Sequence, residues 1–446
     1  MYLLANGKLI TRDLALPYLE DGGVVTDGGK IVAVGKTADL KAQYPQAEFV
    51  DAKGGVIMPG LINAHTHIYS ALARGLSIAG NNPTNFLEVL EGTWWAIDRK
   101  LDLAATRASA DALYLDCIRQ GVTTIFDHHA SFCEIPGSLF AIADSAKELG
   151  IRSCLCYETS DRDGEEKCLQ AIQENADFIS YCEKNPSDML AAMFGGHALF
   201  TISDKTFERM VAANNGRTGY HIHVSEGMND VYDSLQNYGR RPVQRLQDHG
   251  ILGPKTMLGH CIHVNTAEMD IIEATGTMTV NNPESNLGHA VGCSPVLQLM
   301  KRGITVGLGT DAYTNDMLES LKVALAIQRH NACAPNVGWC EVTDMLFKNN
   351  AIIGEKYFGV PLGRLAPGAA ADVIVMDYKP YTPFSDENID GHMLFGMTGR
   401  QCQTTMANGR LLMRDREFVD IDEAGIQAKV MESSKRLWGA LNNKVY

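Results

Sequence analysis

The strongest constraint on this chain is an alternation that runs through its middle. From about Leu61 to Gly363, short apolar runs such as "GVTTIFD", "IRSCLCYE", "GYHIHVSE", "KTMLGHCIHV", "GTMTVNNP" and "GITVGLGTD" alternate with helical stretches such as "SLFAIADSAKELG". Strand–helix alternation of this kind calls for parallel strands joined by crossover helices. About eight such strands can be counted, enough to close a barrel. The flanks differ. "YLLANGKLIT", "GGVVTDGGKIVAVG" and "AEFVDAKGGVIMPG" read as strands broken by turns. In the tail, "ADVIVMD" reads as a buried strand and "TTMANGRLLMRDREFV" as a hairpin turned at Asn408-Gly409. Chain ends often lie close together, so the expected architecture is α/β: a barrel over 59–363, flanked by one small β domain built from 1–58 and 364–446. The 446 residues would otherwise suggest about three domains.

Composition narrows the function classes. Apolar residues at 45% and charged residues at 21% are ordinary for a globular chain. The 39 basic against 53 acidic side chains leave a net charge of −14. That sign repels phosphate backbones and anionic headgroups, so neither nucleic acid nor membrane is an expected partner. Eleven cysteines, an odd number without a CxxC pair, point to reduced thiols rather than a disulfide framework. Met1 to Pro17 carries Lys8, Arg12 and Asp13 and lacks the apolar core of a signal peptide. A cytoplasmic protein is expected. "GGKIVAVGKT" has Lys30 where a phosphate loop needs glycine, so it reads as strand and turn.

The chemistry is at the strand ends. In a (β/α)8 barrel the C-terminal strand ends build the active site. His65 and His67 in "PGLINAHTH" alternate on one strand and can face the same way. His223 ends a second strand, with Glu226 three residues on; His260 ends another, and Asp311 the last. Each alone has an ordinary explanation, such as a helix N-cap for Asp311. Together, ionisable residues closing four apolar runs require pairing or coordination. His221 and His263 read as packing or supporting residues. "DMLAAMFGGHALF" has no lysine to bridge two metals. One divalent metal is therefore expected on His65, His67, His223 and Asp311: zinc first, with iron(II) or manganese the alternatives. Such a metal lowers the pKa of water to roughly 7 and makes hydroxide available. Asp311, Glu226 and His260 are the candidates to move its protons and steady the developing charge.

The motifs "GGVIMPGLINAHTH", "HIHVSEG", "YGRRPVQRL", "LGHCIHV", "NNPESNLGHAVGCSPVLQLMKRGITVGLGTD" and "GRLAPGAAADVIVMD" run nearly end to end. In them the chain resembles the amidohydrolase superfamily, in its branch of metal-dependent deaminases and triazine hydrolases. The resemblance implies a distorted (β/α)8 TIM barrel with a small β-sandwich from both termini, and one zinc on the four residues above. It implies that Glu226 carries a proton to a ring nitrogen, His260 orients the metal-bound hydroxide, and Asp311 takes the water's proton. An exocyclic C–N bond of an amino-heterocycle would be hydrolysed and ammonia released. His197 in "FGGHALFT" would touch substrate.

Nucleoside deaminases of this branch carry a Trp and, nine residues on, a Glu for the ribose hydroxyls. Here that spacing gives Val89 and Asp98. Asp98 is kept as a candidate hydroxyl ligand, Trp95 with Trp94 as stacking surface, and His128 and His129 as residues reaching the barrel mouth. A purine-like free base is favoured over a nucleoside. The alternatives are another leaving group (chloride or alkylamine), a ring amide, an adenosyl-type nucleoside, or a non-catalytic scaffold. A homodimer or higher homo-oligomer is the expected assembly.

Overall fold

The computed structural model describes residues 1–446. Its strands are β1 (Tyr2–Ile10), β2 (Tyr18–Asp27), β3 (Lys30–Lys36), β4 (Glu48–Asp51) and β5 (Val56–Pro59); then β6 (Leu61–Thr66), β7 (Val122–His129), β8 (Arg152–Tyr157), β9 (Leu190–Ala192), β10 (Phe194–Ala198), β11 (Tyr220–Val224), β12 (Met257–His260), β13 (Met278–Asn281) and β14 (Val306–Leu308); and finally β15 (Val373–Met376), β16 (Cys402–Ala407), β17 (Arg410–Arg414) and β18 (Glu417–Phe418).

The central strands are all parallel and pair in chain order, as β6-β7-β8-β9 and β10-β11-β12-β13-β14. Only Met193 separates β9 from β10, so these are the two halves of one bent strand. Single bridges join the arcs, Thr159 to Gly196 on one side and Thr66 to Asp311 on the other. At the second seam the Thr310 and Asp311 amides both donate to the His65 carbonyl, at 2.9 and 3.0 Å. The result is a distorted eight-position barrel that closes through backbone at the site itself.

Alternation along the strands sorts the interior. On β7, β8 and β13, Phe126, Cys156 and Val280 belong to an apolar floor. Two residues on, the same faces carry His128, Glu158 and Asn282, all buried. On β11 the residues Tyr220, Ile222 and Val224 pack outward into the main core, which leaves His221 and His223 for the interior. Helices cover the outside. Leu103–Gln120 starts where Asp102 accepts from the Ala105 amide at 2.8 Å and stops at Gly121, whose φ of 75° favours glycine.

The strands of both chain ends join in one nine-stranded set, ordered β18-β17-β16-β15-β5-β1-β2-β3, with β4 beside β1. β1 pairs with β4 along Tyr2–Ala5 and with β5 at Lys8 and Leu9. This change of partner folds the sheet over a core of its own, containing Leu4, Leu9, Val24, Val373 and Met406. The β16–β17 hairpin turns at Asn408-Gly409, with φ of 47° and 75°. The last helix, Glu423–Asn442, is not part of this sheet. It lies on the barrel side, where Trp438 Nε1 donates to the Leu72 carbonyl at 2.7 Å, just after His67. All eleven cysteines are free, and no helix is long and apolar enough to cross a membrane.

Arg152 at the start of β8 is fully buried and pairs with Asp372, just before β15. Its Nε also donates to the Asp188 carbonyl at 2.7 Å. Removing one partner strands a buried charge, so Asp372→Asn should lower unfolding stability by about 3–5 kcal/mol in urea titrations. The double change Arg152→Met, Asp372→Leu should recover most of that loss; no recovery would mean that packing around the pair, not its charge, is what matters.

Candidate metal and active site

The barrel mouth gathers its central polar groups from the ends of four strands, β6, β11, β12 and β14. His65, His67, His223, His260 and Asp311 are all buried there. Their ligating atoms form two overlapping groups, His65–His67–His223 and His65–His260–Asp311, each with its atoms within 4.8 Å of one another.

The rings are oriented from behind. His67 Nδ1–H donates to the His128 carbonyl at 2.6 Å, and His223 Nδ1–H to the His197 carbonyl at 2.8 Å. His65 Nδ1 lies 2.8 Å from His221 Nε2, and His221 Nδ1 lies 3.8 Å from Cys156 Sγ. The two carbonyl contacts fix the Nδ1 protons of His67 and His223 outward, and all three rings turn Nε2 toward one another. His65 Nε2 is buried without any hydrogen-bond partner. An orphaned imidazole nitrogen beside two others and a carboxylate fits a metal ligand set of the N/O type that zinc prefers. Such a metal would be held by His65, His67, His223 and Asp311. Backbone supports the cradle: a side chain at Gly309 would sit 2.8 Å from the His65 Cβ. His260 and Asp311 adopt φ of 67° and 55°, a strained left-handed conformation for such residues.

Asp311 is the hub. Its Oδ1 lies 3.1 Å from His67 Nε2. Ser285 Oγ donates to its Oδ2 at 2.5 Å, and His260 Nε2 is 3.6 Å from Oδ2. His260 Nδ1–H donates to Asn286 Oδ1 at 2.8 Å, while its Nε2 also lies 3.5 Å from Glu226 Oε2. Glu226 Oε1 is 3.4 Å from His289 Nδ1. Burial pushes the Asp311 carboxyl up, but the hydrogen bond and positive field of His67 outweigh it and hold it well below the usual range. Burial, with neighbouring histidines, keeps His65 and His223 neutral far below pH 6.5. His67 is the exception: burial opposes its charge, yet Asp311 raises it to about 9.

The cleft over these groups is walled by Tyr69, Phe86, Trp94, Trp95 and Phe200, and contains His197, Glu158, Glu226 and His289. Phe86 to Asp98 forms a short helical run with a π-helical turn at Leu90–Trp94. Trp95 and His197 meet edge-on, with centroids 5.8 Å apart. Of the residues expected to touch substrate, His197 and Trp95 line this cleft, and Asp98, His128 and His129 do not. Asp98 is buried, each of its oxygens is hydrogen-bonded to Arg162, and it does not line the cleft. His128 and His129 are consecutive on β7 and must face opposite sides. His128 faces inward, but its Nε2–H donates to the Gly196 and His221 carbonyls, both at 3.0 Å. His129 packs outward near Tyr157. Neither lines the cleft.

His263 Nε2–H donates to the Val291 carbonyl at 2.9 Å, away from this centre. His221, read as background, proves to be the group that orients His65. Sequence reasoning missed Glu158, Ser285 and His289. Glu158 carried the right signal, an acid ending the apolar run "IRSCLCYE". Ser285 and His289 belong to the helix Pro283–Gly288 and its cap, and only the fold brings them to Asp311 and Glu226.

With this geometry established, comparison with known proteins is informative. A model of the amidohydrolase family matches residues 56–412. The chain belongs to the amidohydrolase family. Residues 22–47 also match an imidazolonepropionase-like composite domain of bacteria. The chain is 28% identical to a 5'-deoxyadenosine deaminase of Methanosarcina mazei, over 99% of each chain. It is 31% identical to a 5-methylthioadenosine/S-adenosylhomocysteine deaminase of Thermococcus sibiricus, over 92% of this chain and 93% of that one. Among solved structures, an adenosine deaminase from Xanthomonas campestris with bound zinc superposes with a TM-score of 0.86 at 22% identity, covering 98% of each chain. The amidohydrolase fold is a distorted barrel of the kind described above.

Two expectations follow for metal binding. At pH 7 the metal-free His67 holds a proton on Nε2, against Asp311, that a metal must displace. Loading should therefore release about one proton per metal, and affinity should climb with pH until about 9 and then level off. Calorimetry in buffers of different ionisation enthalpy reads this directly; no proton release would contradict it. His221→Ala frees the His65 ring and should weaken metal affinity by about 10–100-fold in chelator competition, whereas a merely packing role for His221 predicts unchanged affinity.

Proposed function

We propose that this protein is a zinc-dependent aminohydrolase that removes the exocyclic amine of a purine-like heterocycle as ammonia. The observation that carries this reading is the ligand set itself, three imidazole Nε2 atoms and Asp311, with two further proton carriers, His260 and Glu226, adjoining Asp311. When bound there, zinc supplies the Lewis acidity that lets water lose a proton near neutral pH.

The chain's own residues then divide the work. Asp311, held as a carboxylate, accepts the water's proton on an oxygen steadied by Ser285. His260 is fixed by Asn286 with Nε2 between the two carboxylates, and it stabilises charge as the water oxygen adds to the ring carbon. Glu226, beside His289, donates a proton to the ring nitrogen and regains one from the hydroxyl left on the carbon, while the proton held by Asp311 passes to the departing amine. The C–N bond breaks, a ring carbonyl remains, and ammonia leaves. Trp94, Trp95 and Phe200 give the ring an apolar, water-poor slot.

A free base is the first reading, because Asp98 is paired with Arg162 and does not line the cleft where a ribose would lie. A nucleoside is the second, favoured by the names of the relatives at 28–31% identity.

The test is ammonia release by the zinc-loaded protein across aminopurines, aminopyrimidines, pterins and their nucleosides. Release from a base, with Glu226→Gln lowering kcat by about 10²–10⁴-fold, is the expected result. A higher kcat/KM for a nucleoside would favour the second reading. No release from any ring, with metal shown to be bound, would overturn the aminohydrolase reading and leave chloride, alkylamine or ring-amide cleavage.

A further inference from the structure

We infer that Glu158 selects a ring bearing a second N–H donor in addition to the amine that leaves, by accepting that donor on Oε2. This rests on the aminohydrolase reading above, which gives Glu158 no part in the chemistry.

Glu158 lies directly beyond β8, is 3% exposed and lines the cleft beside Trp95 and His197. One oxygen is engaged: Oε1 lies 3.0 Å from His197 Nε2. The other is not. Oε2 is buried with no hydrogen-bond partner, and His128 Nδ1, at 4.0 Å, is beyond bonding distance. Buried carboxylate oxygens are almost always satisfied, and leaving one bare is costly.

The proton count fixes what Oε2 can do. Thr201 Oγ1 donates to the Ala198 carbonyl at 2.9 Å. The 2.8 Å contact between His197 Nδ1 and Thr201 Oγ1 is then a donation from the imidazole. One proton is left to share between His197 Nε2 and Glu158 Oε1. Whichever of the two holds it, Oε2 presents only lone pairs.

The wall's own donors are not bonded to Oε2: Trp94 Nε1–H faces His289, and Tyr69 and the unpaired Trp95 Nε1–H make no hydrogen bond to it. No lysine or arginine lines the cleft. Arg162 is committed to Asp98 and stacked over Phe132 at 4.1 Å. With no wall group bonded to it, Oε2 is open to a donor that the substrate brings. A ring whose only N–H group is the departing amine leaves Oε2 unpaired, whereas a ring with a further amine or ring N–H completes it.

Matched rings, methylated at N9 so that none carries the imidazole N–H, test this: 2,6-diamino-9-methylpurine against 6-amino-9-methylpurine, and 2-amino-9-methyl-6-oxopurine against 2-amino-9-methylpurine. Each is measured as kcat/KM for ammonia release and as Kd by calorimetry, with the zinc-loaded wild type, Glu158→Gln and Glu158→Leu. The donor-bearing ring should be preferred at least about tenfold by the wild type, chiefly through KM. Glu158→Gln keeps an acceptor oxygen and should retain part of the preference; Glu158→Leu should bring the ratio near one. Equal kcat/KM and Kd within each pair for the wild type alone would overturn the inference, as would an unchanged ratio in Glu158→Leu. If no ring releases ammonia, the aminohydrolase reading fails, while the Kd ratios still decide whether Glu158 reads the donor.

Discussion

Everything in this site depends on how the imidazoles are held from behind. A histidine can ligate through either nitrogen, and a free ring would populate both tautomers and several rotamers. Here His67 and His223 each give Nδ1–H to the carbonyl of a residue on a neighbouring strand, and His65 is set by His221. The barrel's strand register therefore decides the tautomer of each ligand and the direction of its lone pair. Because those carbonyls belong to His128 and His197, the ligand set exists only when adjacent strands pair correctly.

The same economy extends to the acid–base groups. Asp311 sits where the last strand closes on the first, its amide bonded to the His65 carbonyl. Closure of the barrel and placement of the carboxylate are one event. The strained backbone at His260 and Asp311 is tolerated because Asn286 and Ser285 fix the side chains that it presents. Aromatic walls above exclude water, which strengthens every charge interaction below.

Much of this was legible in the amino-acid sequence, for reasons of periodicity. Strand alternation put His65 with His67 on one face, and the ends of apolar runs marked His223, His260 and Asp311. Both termini being strand-rich anticipated their meeting in one sheet. What failed did so where contact, not spacing, decides. Asp98 has the spacing of a ribose ligand, but Arg162, distant in sequence, occupies it. His128 and His129 were read as a pair although neighbours on a strand face apart. His221 looked like filler because its role is to hold another histidine. Glu158 ended a strand as His223 does, and went unread because no partner for it could be named.

The central claim is one metal on three imidazoles and a carboxylate, and X-ray absorption on the zinc-loaded protein tests it most directly. The account predicts nitrogen and oxygen ligands only, at about 2.0–2.2 Å, with imidazole outer-shell scattering fitted by three rings. Sulfur at about 2.3 Å, or a second metal at about 3.5–4 Å, would contradict it.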